Sequence, residues 1–307
     1  MLCQTQKSGT KVKVGFPRYK KFVSSLTYPQ GNGFRVEKKK VFLSKIGNVN
    51  FVNHREMEGT AKTCTIKKTK SGEWYLTFSS ELEITRPFTN GKEAIGIDLG
   101  ISNYVTMSNG TVLNNIAISE REKSRMKRLQ RAISRREKGS QKRRKAIFRF
   151  AKKYEHILRM KENHLHKLSY DLVNSYSFIA HENLNIQGMM KNHHLAKSIG
   201  ESSWGNLIQL LQYKAESAGC VVVGTNPRNT SKTCSECGNI QDMPLSERTY
   251  ECSKCCMSKD RDLNAAINML NRAREGHSRS NASGDGVRPQ LREAVVVERG
   301  TTFGGAS

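Results

Sequence analysis

Apolar and polar positions alternate, or nearly alternate, through much of the first 90 residues. The segments KVKVGFPRY, FRVEKKKVFLS, TCTIKKT and EWYLTFSSELEI carry this rhythm, and Gly31, Gly33, Gly47 and Gly72 punctuate it. A period of two predicts short strands with basic turns, so residues 1–90 are expected to form a small β-barrel or open sheet. A linker is expected from Pro87 to Lys92. After it, AIGIDLG (94–100) reads as an apolar strand, and YVTMSNG and TVLNNIAIS as two more joined by the Asn109-Gly110 turn, an antiparallel meander. The spacing then becomes helical. Gly139-Ser140 divides the region 120–175 into a hairpin of two helices, and Ile147, Phe148, Phe150, Tyr154, Leu158, Leu165 and Leu168 are the expected packing face of the second. SYSFIAHENL predicts a further strand, and residues 187–203 a loop. WGNLIQLLQYKAESAG predicts a helix with Trp204, Leu207, Leu211 and Ala215 toward a core and Gly219 as its C-cap, and CVVVGTN a buried parallel strand reached through it. Beyond Arg272 the apolar rhythm fades. Residues 275–307 are expected to be a disordered tail, in which only LREAVVVERG has the pattern of a short appended element.

Strand, strand, strand, helices, strand, helix, strand, helix is the order of a ribonuclease-H-like α/β domain. In that layout the first strand is central, the fourth lies beside it and the last helix crosses one side. Two acids end apolar runs in this region, Asp98 and Glu182. A carboxylate inside or at the end of a buried strand is costly unless paired or bound to an ion. The plainer alternative for Asp98 is a cap on the loop at Gly100.

Charge narrows the partners. The 307 residues hold 52 Lys plus Arg against 27 Asp plus Glu, a formal charge of +25, and such an excess attracts polyanions. More than half of it lies in residues 120–167, where 19 basic and 5 acidic residues give +14. Arg135, Arg136, Lys142, Arg143, Arg144 and Lys145, around the hairpin turn, are the expected phosphate contacts, with binding that falls steeply as salt rises. No 18-residue apolar run spans a membrane and no signal-peptide pattern opens the chain, so a cytoplasmic, nucleoid-associated protein is expected.

The sharpest local motif is TSKTCSECGNIQDMPLSERTYECSKCCMSKDRDLNAAINML, residues 230–270. Cys234 and Cys237 form one C-x2-C pair, Cys252 and Cys255 another, with 14 residues between the pairs. Four thiolates at that spacing close a tetrahedral zinc site from two short turns, so the segment folds by coordination. Free or disulfide-bonded cysteines are the weaker alternative, and a reducing compartment follows from the thiolate reading. Cys3, Cys64, Cys220 and Cys256 are left unpaired. Directly after the second pair, Asp260-Arg261-Asp262 opens a helical run, where carboxylates are expected as caps.

In AIGIDLG, HENL, TSKTCSECGN, ECSKC and DRDLNAAIN the sequence resembles the TnpB proteins, also called OrfB, of the IS200/IS605 and IS607 insertion-sequence groups. These are similar to Cas12 nucleases in having a RuvC-like domain split by a zinc ribbon, and the resemblance runs from about Lys11 to Arg272. It implies a fold of a partial wedge-like β-barrel domain (1–90), a RuvC-like mixed sheet (91–229) with the basic hairpin inserted, a zinc ribbon (230–258) and a final RuvC helix (259–274). It implies an RNA-guided, Mg2+-dependent DNA endonuclease, with Mn2+ as a substitute ion, a transposon-encoded guide RNA and a DNA target as partners, and a monomer. Asp98, Glu182 and Asp262 then correspond to the three catalytic, metal-binding acids, the four cysteines to the zinc ligands, and Arg248 to a ribbon arginine near the phosphate. The alternative is a non-enzymatic nucleic-acid-binding or accessory transposition protein. Two departures accompany the resemblance. Family members carry a further N-terminal portion with a helical recognition domain, and they have glycine where Cys256 stands, a substitution tolerated unless that backbone needs positive φ.

Overall fold

The computed structural model describes residues 23–53, 57–81, 90–116, 118–244, 246–282 and 294–298. The expected strand at 11–19 and Cys3 lie outside them. The chain divides into two units, one of residues 1–82 and 293–307 and one of residues 83–292.

The first unit is all β. Strands β1 (Ser25–Pro29), β5 (Thr60–Lys68), β6 (Trp74–Glu81) and a C-terminal strand at Ala294–Glu298 form one antiparallel sheet, while β2 (Phe34–Val36), β3 (Lys40–Leu43) and β4 (Gly47–Asn50) form another. FRVEKKKVFLS is thus a hairpin, turned where the Glu37 N–H donates to the Lys40 carbonyl. Phe34, Val41, Leu43 and Val49 of the smaller sheet pack on Cys64, Ile66, Leu76 and Phe78 of the larger. Among the described residues no ladder joins the two sheets, so the hydrogen bonding is that of two facing sheets and not of a closed barrel. The C-terminal strand falls within LREAVVVERG, the one stretch of the tail with the pattern of an appended element. AVVV, the β-branched run in that segment, pairs with β6 from Ala294↔Ser80 to Glu298↔Leu76.

The second unit is built on a five-stranded mixed sheet in the order β11-β10-β7-β8-β9. Here β7 is Ala94–Leu99, β8 Val105–Met107, β9 Val112–Leu113, β10 Phe178–Glu182 and β11 Val221–Thr225. The first three strands run antiparallel to one another, whereas β10 is parallel to both β7 and β11. The first strand is therefore central with the fourth beside it, as the element order predicts. Helix α1 (Glu120–Ser134) and α2 (Gln141–Ser175) form the hairpin, turned at Gly139 with φ +89. Short helices α3 (Ile186–Met189) and α4 (Ala196–Ser202) occupy the stretch expected to be loop. Helix α5 (Trp204–Ala218) buries Trp204, Leu207, Leu211 and Ala215 and ends at Gly219 in the left-handed region, φ 65, as its spacing predicts.

The packing face of α2 follows expectation at Leu165 and Leu168, which join the core, and departs from it in the outer part of the helix. Ala146, Ile157, Leu165, Ser169, Leu172 and Val173 are buried, whereas Ile147, Phe148, Tyr154 and Leu158 are exposed. The last helix, α6, runs from Arg261 to Ala282, past the expected end at 274, and crosses the sheet on β7.

Candidate functional site

Alternation along β7 sorts its side chains. Ile95, Ile97 and Leu99 join the core with Leu207 and Leu211 of α5, so Gly96 and Asp98 face the other side, under α6. The approach there is close. A Cβ on Gly96 would fall 2.0 Å from the carbonyl oxygen of Ala266 and 3.0 Å from Cβ of Leu270. Only glycine lets the helix lie this low on the central strand, and that places the first turn of α6 beside the end of β7. On the parallel neighbour, His181 is paired with Ile97, so Glu182 is level with Asp98.

Three acids from two strands and a helix thereby meet. The Asp98 carboxyl is pushed up to about 7, first by burial and then by the negative charges of Asp262 and Glu182, with the Leu99 backbone N–H and Arg261 pulling the other way. Glu182 is also raised by burial, against opposing pulls from Arg272 and from the Thr230 hydroxyl. Unneutralised carboxylates crowded in this way form a site that a cation would relieve. Hard oxygen donors suit Mg2+ or Mn2+. Among the described residues only the four cysteines form a group of three or more tight enough to share one ion.

The DRD motif divides its labour. The backbone N–H groups of Asp262 and Leu263 donate to Oδ1 of Asp260 at 2.9 and 3.1 Å, so Asp260 is the helix cap and Asp262 is free to face Asp98. Arg261 between them donates to the Glu247 carbonyl at 2.9 Å and lies 3.6 Å from Oδ1 of Asp262. The sequence motif passes over this cation, whose charge acts on Asp98 as that of Arg272 acts on Glu182. Arg248 is exposed, and its carbonyl accepts from the Arg261 N–H at 2.7 Å, at the foot of the same helix.

The cysteines form a second group. Their four sulfurs lie within 4.8 Å of one another, with Cys234–Cys255 and Cys237–Cys252 both at 3.6 Å. A thiolate tetrahedron about 2.3 Å from a zinc ion has edges of about 3.8 Å, whereas a disulfide would need about 2.0 Å. The two turns are built alike. Cys234 and Cys252 donate N–H groups to the carbonyls of Asn239 and Met257 at 2.8 Å, and accept at their own carbonyls from Gly238 and Cys256 at 3.0 Å. Gly238 has φ +72 and Cys256 has φ +57, so Cys256 occupies a left-handed position that its counterpart fills with glycine. Strands β12 (Thr249–Glu251) and β13 (Ser258–Asp260) pair at the base of this module. Tyr250, fully buried against Cys234 and Cys252, donates to the Lys232 carbonyl at 3.1 Å.

The hairpin presents the third feature. Arg135, Lys142, Arg144 and Lys145 are exposed, whereas Arg136 and Arg143 also close the turn. Arg136 donates to the Lys142 carbonyl at 2.6 Å, and Arg143 to the carbonyls of Ile133 and Arg136 at 2.9 and 2.8 Å. Arg143 thus satisfies carbonyls at the C-terminal end of α1, while Arg136 ties the turn to the start of α2.

Two family models match successive stretches of the chain. One, the IS605 OrfB family described as "Probable transposase", covers residues 77–193 and with them Asp98 and Glu182. The other, "Cas12f1-like, TNB domain", covers residues 204–269, including Asp262 and all four cysteines. The chain belongs to the OrfB (TnpB) family. A Streptomyces pristinaespiralis relative is 35% identical over 230 residues, 74% of this chain and 56% of the relative. One from Escherichia coli (strain K12), InsQ, is 27% identical over 276 residues, 84% of this chain and 68% of its own length. Both bear the name "Putative RNA-guided DNA endonuclease". The chain thus spans a little over half of the first OrfB relative and about two thirds of the second. A solved Cas12f1–sgRNA–target DNA complex overlaps 81% of this chain and 67% of its own at 16% identity with a TM-score of 0.42, too loose a likeness to bear on the site.

Proposed function

We propose that this OrfB chain is an RNA-guided, Mg2+-dependent DNA endonuclease of a transposable element, cutting at Asp98, Glu182 and Asp262 on a RuvC-like sheet. What carries the reading is the convergence of those acids. Burial first, and then the charges of Asp262 and Glu182 from two other elements, raise the Asp98 carboxyl to about 7, and the strand order is the one a ribonuclease-H-like domain uses. Asp98, Glu182 and Asp262 would hold Mg2+, which supplies activation of water and relief of charge on the leaving 3' oxygen. The protein's own groups do the rest. Asp98 and Glu182 are fixed by the paired ends of β7 and β10, Asp262 by the capped first turn of α6, and Arg261 supplies positive charge at their edge. Arg248, exposed at the foot of α6, is placed to meet a phosphate. Zinc held by Cys234, Cys237, Cys252 and Cys255 orders the ribbon. The exposed cations Arg135, Lys142, Arg144 and Lys145 track nucleic-acid phosphates, the guide RNA and the target DNA being the partners. The protein works as a monomer beside the nucleoid of a prokaryotic cell.

The test is cleavage of a matched DNA duplex by the protein loaded with RNA transcribed from the end of its own element. Cutting that needs guide and Mg2+, and that Asp98→Ala abolishes by at least about a thousandfold, is expected. Salt-sensitive binding with no product, unchanged by Asp98→Ala, would instead leave a non-enzymatic nucleic-acid-binding protein.

A further inference from the structure

Helix α6 carries three polar side chains four residues apart, Asn264, Asn268 and Arg272, which form a single stripe. Asn264 is fully buried and Asn268 nearly so. All three turn toward one segment, residues 226–235, which leaves β11 and leads into the first C-x2-C turn. Asn264 donates to the Thr233 carbonyl at 2.8 Å and accepts from the Ser235 N–H at 2.9 Å. Asn268 donates to the carbonyls of Thr230 and Thr233 at 2.9 and 2.7 Å. Arg272 donates to the carbonyls of Asn226 and Arg228 at 3.3 and 2.6 Å and reaches the Thr233 hydroxyl at 3.3 Å.

Buried carbonyls in an irregular segment must find donors, and here one stripe of a helix supplies them. The conformation of residues 226–235 is accordingly dictated by α6. That segment joins two sites. At one end it contains Cys234; in its middle, the Thr230 hydroxyl faces the Glu182 carboxyl, on which Arg272 also acts. The helix that grips it bears Asp262 two residues before Asn264. Ser235, held by Asn264, is next to a thiol ligand, and Thr230, held by Asn268, is next to an acid.

We infer that Asn264, Asn268 and Arg272 are positioning residues through which the thiol cluster governs how Glu182 and Asp262 are held for a divalent cation. This rests on reading the three acids as a cation site, and it adds that the ribbon is a working part of that site. A ribbon merely glued to the core would lower stability on weakening and leave cation binding alone. Groups that orient ligands without touching the ion instead cost about 10- to 100-fold in affinity when removed.

Binding of Mn2+ alone to the full chain, followed by electron paramagnetic resonance with zinc counted in each sample, tests this without relying on cleavage. Asn268→Ala is expected to weaken Mn2+ binding about tenfold with zinc content and far-ultraviolet circular dichroism unchanged. Arg272→Gln, at the solvent edge of the stripe, should do the same if Asn268→Ala fails to fold, and Arg272→Lys should recover part of the loss by keeping the charge. Extracting zinc from the unsubstituted protein should weaken Mn2+ binding to a similar degree, and add little in Asn268→Ala, since both act on one linkage. Unchanged Mn2+ affinity in Asn268→Ala and Arg272→Gln, with only the melting temperature lowered, would overturn the inference while Asp98→Ala still abolished binding. Mn2+ binding indifferent to Asp98→Ala would overturn it together with the carboxylate site.

Discussion

The thiol group and the carboxylate group of the second unit are specified in opposite ways. Four ligands at positions 234, 237, 252 and 255 are brought together by two turns of nearly identical hydrogen bonding, so the 24 consecutive residues 234–257 contain the whole geometry. The acids at 98, 182 and 262 have no local geometry in common. They meet only because β10 lies parallel to β7 and because α6 can rest on Gly96. A local site survives damage elsewhere in the chain, whereas a convergent one fails when any of its supports moves.

Gly96→Ala should separate the two most sharply. The added carbon would sit 2.0 Å from the Ala266 carbonyl, a backbone atom that cannot rotate away. We expect a loss of about 3 kcal/mol or more in stability, read by chemical denaturation, with α6 displaced and Asp262 drawn off Asp98. Zinc stoichiometry should stay at one per chain. Cys252→Ser breaks the comparison from the other side. It should abolish zinc binding and strip amide protection from residues 230–258 in hydrogen exchange, while β7, β10 and β11 keep theirs.

Titration gives a smaller effect. The Asp98 carboxyl rises from an ordinary 3.8 to about 7 in the folded protein, so between those values the folded state holds a proton that the unfolded chain has lost. Its contribution to stability therefore falls as pH rises through that window and is level above it. Asp98→Asn should cancel this slope in metal-free protein and raise the melting temperature at pH 8 relative to the unsubstituted chain, with little difference at pH 4. The smallest change is expected at Cys256. Its φ of +57 strains a side chain where Gly238 is at ease, so Cys256→Gly should stabilise the zinc-loaded ribbon by about 1 kcal/mol, seen as slower zinc release to a chelator.

Much of this was legible before any coordinates. Asp98 and Glu182 each close an apolar run, and runs of that kind end at the carboxyl edge of a sheet. The spacing of Trp204, Leu207, Leu211 and Ala215 leaves one choice of buried face for α5. The hairpin helix α2 offered two in its outer part, and side-chain size favoured the wrong one there, although Leu165 and Leu168 nearer the sheet are on the covered side. Ile147, Tyr154 and Leu158 are larger than Ala146 and Ser169, but which stripe is covered depends on where α1 and α5 lie. The strand at Ala294–Glu298 was obscure for the same reason. Its partner, β6, lies more than 200 positions away, and no local pattern names a partner. Asn264, Asn268 and Arg272 were visible as residues but not as a device, because the carbonyls they satisfy belong to a segment without periodicity. Of the DRD motif, composition says only that acids favour a helix start and the resemblance points to Asp262; the hydrogen bonds to Asp260 give the physical reason, since they make it the cap.

The length of α2 has a mechanical meaning. Thirty-five residues at about 1.5 Å each make a rod of about 52 Å, rooted by Leu165, Leu172 and Val173 in the core and braced near its outer part by the pair Lys153–Glu122. Six residues separate the end of that rod, Ser175, from Glu182, and Ser177 already donates its N–H to the Glu93 carbonyl at the start of the central strand. A load taken by the basic turn at Gly139 is thus delivered by a stiff lever to the very strand that ends in an acid.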